Sequence, residues 1–395
     1  MPRSSLRWVA IFIFIFSSML NYLDRQLLAA VAPSLRSEFH LSNHQYGQIL
    51  SVFSIVYALV APAAGWFIDR AGLNAGVTVA VLVWSVAGAS TGLTRSVSGL
   101  VVSRTALGVA EAAGIPGFGK ANSVYLAPSE LALGTAFNQV GISLGLMAAP
   151  LIVASVAPAH GWRSAFIVCG ALGFVWVPLW LVTSKWIPAQ PIVPRKSQAS
   201  IAELLRDPRI WGLIAATLFL MSLYTLWTNW TTLYFVEQWR LSQEEANRRF
   251  AWIPPVFGVL GGFFGGWMAF HWIRGGVGVL AARIRVCWIC AIASLLATVA
   301  IPMMPNAVLA AAAICVSSFW ALSISTNLYS LPIDMLGPER AGFGVAILTF
   351  AYGLMQTFLS PAIGMVVDHA GFTAVCFGMA ALPMFGVWIM QATAQ

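Results

Sequence analysis

Four ionisable residues sit inside stretches of sequence that are otherwise apolar: Asp24, Arg25, Arg104 and Glu111. A charge at the centre of a bilayer costs roughly 2.5–3.5 kcal/mol on insertion scales, so such residues mark substrate or proton pathways by default. Arg104 and Glu111 are seven positions apart, two helical turns, and share one helix face. Arginine stays charged and grips a carboxylate through two parallel hydrogen bonds. Carboxylates in a poorly solvated site can take up and release protons. Two arginines and two acids make a net-neutral set that can bind an organic anion and carry protons, with protonation of an acid freeing an arginine for the anion. The competing reading is structural, a pair of ion pairs locking two helices. Stability alone is a weak reason for such pairs, because apolar replacements are often neutral or better.

The elements that must position these residues follow from composition. The chain has 395 residues, 59% of them hydrophobic and 9% charged, against about 25% charged in soluble proteins. Mean hydropathy is +0.82. Too little charge is present to cover a soluble domain, which excludes a soluble enzyme. The net charge of +8 does not point to nucleic acid, because the basic residues are scattered between apolar runs and not gathered on one face. The runs are continuous over about 20 residues or more, as spanning helices require, and lack the alternation of a membrane barrel. Twelve helices are predicted at 8–33, 44–67, 74–94, 98–122, 130–157, 162–184, 209–237, 250–272, 283–305, 307–330, 339–366 and 372–391. Turn signals between them include 69–72, 127–129, Gly161 and the pair Gly337 and Pro338.

The longest polar stretch, from Lys185 to Arg209, contains Pro188, Pro191 and Pro194 and divides the chain in half. The predicted organisation is all-α and polytopic: a six-helix bundle at 1–184, a linker at 185–208 and a second bundle at 209–395. The halves echo each other. LAPSELALG at 126–134 aligns with LGPERAGFG at 336–344, and Gly161 and Trp162 align with Gly371 and Phe372 at the same offset. A parallel duplication of this kind marks transporters with a midplane site. Thirteen of the 21 basic residues fall on one side if the N-terminus is inside, six on the other, and Arg25 and Arg104 lie within helices. The positive-inside rule then puts both termini in the cytoplasm. On this layout Arg25 lies roughly 12 Å, Arg104 roughly 8 Å and Glu111 roughly 18 Å below the outer face, so the four charges share the outer half and the midplane.

The five cysteines, Cys169, Cys287, Cys290, Cys315 and Cys376, all lie in apolar runs and read as packing residues. No histidine cluster accompanies Cys287 and Cys290, and no metal site, cofactor or catalytic nucleophile is expected. Arg3 and Arg7 precede an apolar run that continues to Pro33 without an obvious cleavage site, and the run reads as an uncleaved first helix.

Three motifs occur together: NYLDR at 21–25, GWFIDRAG at 65–72 and RTALGVAEAAGIP at 104–116. The chain resembles the major facilitator superfamily and, more closely, its anion:cation symporter family, which includes bacterial hexuronate and galactonate transporters and is similar to vesicular glutamate and sialic acid transporters. The resemblance covers essentially the whole chain. It implies the major facilitator fold, an inner-membrane location and proton-coupled symport of an organic anion by alternating access. The substrate is then a sugar acid such as a hexuronate or aldonate, or a small monocarboxylate. Anion exchange is the alternative transport reaction, and a non-transporting membrane sensor is a reading of another class. The partners implied are the anion, protons and the lipid bilayer, with a monomeric chain.

The resemblance also implies roles. Arg25 corresponds to the arginine that binds the substrate carboxylate, and Tyr57 to a substrate-facing tyrosine. Asp24 and Glu111 correspond to protonation sites, and Arg104 to an arginine paired with the glutamate. The chain departs from the pattern in places. Leu73 and Asn74 stand where basic residues usually follow the first loop, and the loop at 266–275 lacks its aspartate. In the fifth helix Asn138 and Gln139 lie one turn before the position of an expected glutamine, and in the eleventh Thr349 replaces an asparagine. Trp227, Asn229 and Trp230, with Tyr224 nearby, and Ser323 and Asn327, with Thr326, could line a site for a hydroxyl-bearing ligand. The tryptophans could equally belong to an interfacial belt, and Asn327 to a hydrogen bond between helices. Gln356 is a further polar position. Six glycines, Gly141, Gly145, Gly261, Gly262, Gly265 and Gly266, read as points of close helix packing. Asp69 and Arg70, with Glu339 and Arg340, read as gating or anchoring charges at the cytoplasmic side.

Overall fold

The computed structural model describes residues 3–127, 130–187, 206–336 and 341–394. Most of the predicted linker, the turn at Gly337 and Pro338, and Glu339 and Arg340 lie outside these residues. Every element described is helical: α1 (Arg3–Ala30), α2 (Ala32–Phe39), α3 (Asn43–Ala71), α4 (Leu73–Thr91), α5 (Val97–Glu111), α6 (Gly114–Tyr125), α7 (Leu131–His160) and α8 (Arg163–Trp186) precede the linker. After it come α9 (Pro208–Leu220), α10 (Ser222–Trp239), α11 (Gln243–Ala246), α12 (Ile253–Arg274), α13 (Val279–Ala300), α14 (Ala307–Leu336), α15 (Ala341–Ala380) and α16 (Leu382–Ala394). Among the described residues, ten helical stretches are long and apolar enough to cross a membrane. The last of these, 344–393, contains a break at Gly371, whose φ of 73° belongs to the left-handed region glycine favours. The predicted span 98–122 is delivered as α5 and α6.

That interruption has a local cause. Pro116 sits in the first turn of α6, where its missing N–H is harmless. Its ring opposes helical geometry at the carbonyl four residues back, Ala112. The chain turns at Ala112 and Ala113, immediately after Glu111. The break therefore gives the acid a helix end to sit on. Other helix starts are capped in the usual way. Ser42 and Gln45 form a reciprocal capping box at α3, with the Gln45 N–H donating to Ser42 Oγ (3.1 Å) and the Ser42 N–H to Gln45 Oε1 (2.9 Å). Ser242 accepts from the Glu245 N–H at α11.

The chain divides into two compact units. One comprises Met1–Leu41, Val52–Pro194 and Ser242–Trp252; the other comprises Ser42–Ser51, Arg195–Leu241 and Ile253–Gln395. Each has its own apolar core. In the first, Phe14, Trp84, Trp176 and Trp180 are buried together, with Trp180 edge-on to Phe14 at 4.7 Å. In the second, Leu220, Cys287, Cys290, Ile324, Leu328 and Leu348 pack together. All five cysteines are free and buried. Helix contact is close where glycine permits it. A Cβ on Gly145 would lie 2.3 Å from the Met19 carbonyl oxygen, and one on Gly265 would lie 2.6 Å from that of Ser323.

The first turns of α3 dock within the second unit. The Asp368 carboxylate accepts the backbone N–H groups of Asn43 (2.9 Å) and His44 (2.8 Å), and Ser51 Oγ donates to the Thr357 carbonyl (2.6 Å). The segment Ser242–Trp252 docks within the first unit. Gln243 Oε1 accepts from the Ser34 N–H and hydroxyl, and Asn247 Nδ2 donates to the Ala30 carbonyl (2.8 Å). Asn247–Ala251 forms one turn of π-helix, a local widening that often accompanies function.

Candidate functional site

The apolar first helix buries Asp24 to 2% exposure, while α5 buries Arg104 to 1% and Glu111 to 0%. Arg25 projects from the same turn of α1 and is the accessible member, with its side chain 19% exposed. Its Nε donates to Glu111 Oε2 at 2.7 Å and its Nη2 to Asn21 Oδ1 at 2.9 Å. Its guanidinium carbon lies over three rings, at 4.3 Å from the Tyr57 centroid, 4.7 Å from Tyr22 and 5.1 Å from Phe53. Each contact of this kind contributes roughly 0.5–2 kcal/mol. The resemblance implies Glu111 paired with Arg104. The structure bonds Glu111 to Arg25, because the end of α5 brings the acid beside Arg25 of α1.

Arg104 serves a second polar group. Its Nη2 donates to Thr91 Oγ1 at 2.8 Å, Thr91 donates to Ser103 Oγ at 3.2 Å, and its guanidinium lies 5.4 Å from the Phe166 ring. Asp24 lies within the fields of Arg104 and Arg25 and against the Cys169 thiol. Gly88 clears the space on α4, since a Cβ there would come within 2.7 Å of Asp24 Oδ1. Asp24 Oδ1 and Glu111 Oε1 are buried without a hydrogen-bond partner. Leaving such atoms unsatisfied costs about 1–3 kcal/mol each, more for a charged group, and a functional role is one reason a protein keeps them. The four residues thus form two groups beside α1, one around Arg25 and Glu111, the other around Asp24 and Arg104.

The other residues singled out in the sequence are distributed more widely. Tyr57 joins Arg25. Asn138 is half-buried with no partner for its Oδ1, and Gln139 is exposed. Trp227 Nε1 donates to Ser317 Oγ at 3.1 Å inside the second unit, and Trp230 is fully buried edge-on to Tyr46 at 5.2 Å. The Asn229 carbonyl accepts from the Tyr46 hydroxyl. Ser323 Oγ donates to the carbonyls of Gly261 and Phe319, and Asn327 Nδ2 to those of Gly265 and Ser323. Both side chains thereby stitch α14 to α12. Thr349 Oγ1 donates to the Val345 carbonyl one turn back, and Gln356 to the Tyr352 hydroxyl at 2.7 Å. Asp69 is exposed and takes a bond from Lys120 at 3.2 Å, and Arg70 lies over Trp66.

A scan against protein families matches the Major Facilitator Superfamily over residues 14–360. The chain belongs to the Major Facilitator Superfamily. It is 28% identical over 409 residues to the hexuronate transporter of Escherichia coli K12, covering 99% of this chain and 94% of that one. It is 31% identical over 281 residues to the galacturonate transporter of Dickeya chrysanthemi, covering 67% of this chain and 81% of that one. It is 25% identical over 378 residues to a probable L-galactonate transporter of Escherichia coli K12, covering 91% and 83%. The crystal structure of a bacterial homologue of the human lysosomal transporter Spinster superposes with a TM-score of 0.78 at 18% identity, covering 98% of this chain and 94% of that one. This facilitator is accordingly a multi-pass membrane transporter and not an enzyme.

Sequence reasoning misses several residues that lie around these groups or pair elsewhere in the protein. Tyr22 lies inside the motif at 21–25, and Phe53 is one helical turn before Tyr57, a spacing that could have flagged it. Thr91, Ser103 and Gly88 carry no signal beyond their small size. In the second unit Arg283 pairs with Asp334 across α13 and α14, and its Nη1 reaches Asn327 Oδ1 at 3.5 Å. In the sequence Arg283 is one of the thirteen basic residues assigned to the inside. On α2, Glu38 accepts bonds from Arg163 Nη1 and Trp162 Nε1, both 2.8 Å, and from Arg163 Nη2 at 2.5 Å. The Arg163 hydrogen bond holds the Glu38 carboxyl below the usual glutamate range.

Proposed function

We propose that this facilitator is a proton-coupled symporter of a sugar acid, a hexuronate or aldonate, working by alternating access in the inner membrane with both termini in the cytoplasm. The observation that carries the reading is the Arg25–Glu111 pair. Its glutamate is buried and its arginine is accessible, with Nε engaged and Nη1 holding neither of the bonds to Glu111 and Asn21. Relatives named as hexuronate, galacturonate and galactonate transporters support a sugar-acid substrate.

In this reading the substrate carboxylate binds Arg25 beside Tyr57. Protonation of Glu111 removes its claim on the guanidinium, which then turns fully to the substrate. Asp24 is the second proton site, and Arg104 balances its charge when it is ionised. Asn138, Gln139, Asn229, Trp227, Trp230, Ser323, Asn327 and Thr349 remain proposals for the hydroxyl-binding side. Asp69 and Arg70 are proposed as gating charges. The bundles are proposed at 1–184 and 209–395, with a monomeric chain.

Thermal stabilisation of the purified protein by a panel of hexuronates, aldonates and short monocarboxylates tests the substrate class. Stabilisation by hexuronates or aldonates that is lost in Arg25→Ala is the expected result. A response confined to short monocarboxylates, or an undiminished response in Arg25→Ala, contradicts it.

A further inference from the structure

The rings around Arg25 do more than support it. Tyr22 comes from α1, and Phe53 and Tyr57 come from successive turns of α3, with their rings 24° from parallel and 5.9 Å apart. The guanidinium lies over all three rings. Of its five N–H donors, Nε is held by Glu111 and Nη2 gives one bond to Asn21. Ligand therefore meets the guanidinium along its Nη edge and in its plane, with aromatic surface beside it.

We infer that Phe53, with Tyr22 and Tyr57, is a specificity-determining element that turns Arg25 into a slot for a planar carboxylate and disfavours tetrahedral anions. The inference rests on the proposal that Arg25 binds the substrate anion. A carboxylate places both oxygens in the guanidinium plane and forms the fork without leaving it. A sulfonate or phosphate has at least one oxygen out of that plane. Against a ring face this oxygen meets the negative side of the aromatic quadrupole and loses water without gaining a donor. Glu111 and Asn21 fix the other edge, so the guanidinium cannot rotate to offer a wider face. Phe53 both holds the guanidinium plane and presents its ring face beside the anion. It brings no hydrogen bond of its own, which separates its role from those of Tyr22 and Tyr57.

The test compares D-glucuronate with 6-deoxy-6-sulfo-D-glucose, which share the sugar ring but differ in the headgroup and one methylene, with 6-carboxy-6-deoxy-D-glucose as the carboxylate matched in length, and affinities are measured on the purified full chain. Wild-type protein should prefer the carboxylate by about tenfold or more, the size of one good cation–π contact or misplaced polar group. Phe53→Leu, which keeps an apolar side chain but removes the ring, should bring the two affinities within about threefold, chiefly by weakening glucuronate. Phe53→Tyr should restore the preference, an outcome that a merely structural role for Phe53 does not predict. A wild-type chain that ranks the two headgroups equally, or a Phe53→Leu chain that keeps the wild-type ratio, overturns the inference while leaving the sugar-acid reading intact. Undiminished glucuronate binding by Arg25→Ala overturns both.

Discussion

At the scale of single residues, the proposed chemistry lies where the membrane makes charge expensive. Asp24, Arg25, Arg104 and Glu111 were legible in the sequence because a charge in an apolar run is too costly to keep without a use. Their pairing was not legible. Helix spacing put Arg104 and Glu111 on one face of one helix, but which arginine meets the acid depends on how α1 and α5 cross and where α5 ends. The Arg25–Glu111 bond implies that Glu111→Gln impairs proton-driven uptake more than substrate exchange, because a neutral side chain still permits binding but no longer carries a proton. Parallel uptake and counterflow assays check this, and equal loss of both assigns Glu111 a structural role. Gly88→Ala should be damaging out of proportion to its size, since the added methyl meets Asp24 Oδ1 at 2.7 Å. The readout is loss of uptake with the protein still folded and inserted, and normal uptake refutes the close approach.

At the scale of elements, hydropathy located the spans, whereas the break within 98–122 emerged only in the structure. Pro116 accounts for the turn after Glu111, and Gly371 for the break in α15. What composition could not reveal is how helix starts are satisfied from elsewhere in the chain. Asp368 lies 325 positions from Asn43 and caps α3 with two hydrogen bonds to its first N–H groups. Asp368→Ala should lower stability by about 1 kcal/mol, the usual worth of an N-cap, as read by thermal unfolding of the purified protein. An unchanged midpoint argues that the cap is dispensable. Glu38 gives a pH-dependent case. Its carboxyl is held below the usual range by Arg163, so its contribution is present at neutral pH and is lost as pH falls through the depressed value. Thermal midpoints of wild type and Glu38→Gln should differ at pH 7 and converge in acid. A constant gap across pH contradicts the assignment. The Glu38 side chain is 40% exposed, so the gap should be small.

At the scale of the whole molecule, the scarcity of charge predicted a twelve-helix membrane protein, and the family match and the helices agree with that architecture. A duplication is expected from shared turn residues at one offset. The two compact units were not legible, because Ser42–Ser51 and Ser242–Trp252 each group away from their neighbours in sequence, and this depends on hydrogen bonds formed far along the chain. Ser323 and Asn327 show the same limit. Their polarity suggests a ligand, and their side chains also bond the backbone of α12. Polarity within a span signals that a partner exists without saying whether it is substrate or helix.

The central claim is that uphill movement of a sugar acid is driven by protons. Radiolabelled glucuronate uptake into liposomes containing the purified protein, with and without an imposed inside-alkaline pH gradient, tests it most directly. The account predicts accumulation above the external concentration with the gradient, collapse on adding a protonophore, and no accumulation by Arg25→Ala. Uptake that is indifferent to the gradient contradicts proton coupling.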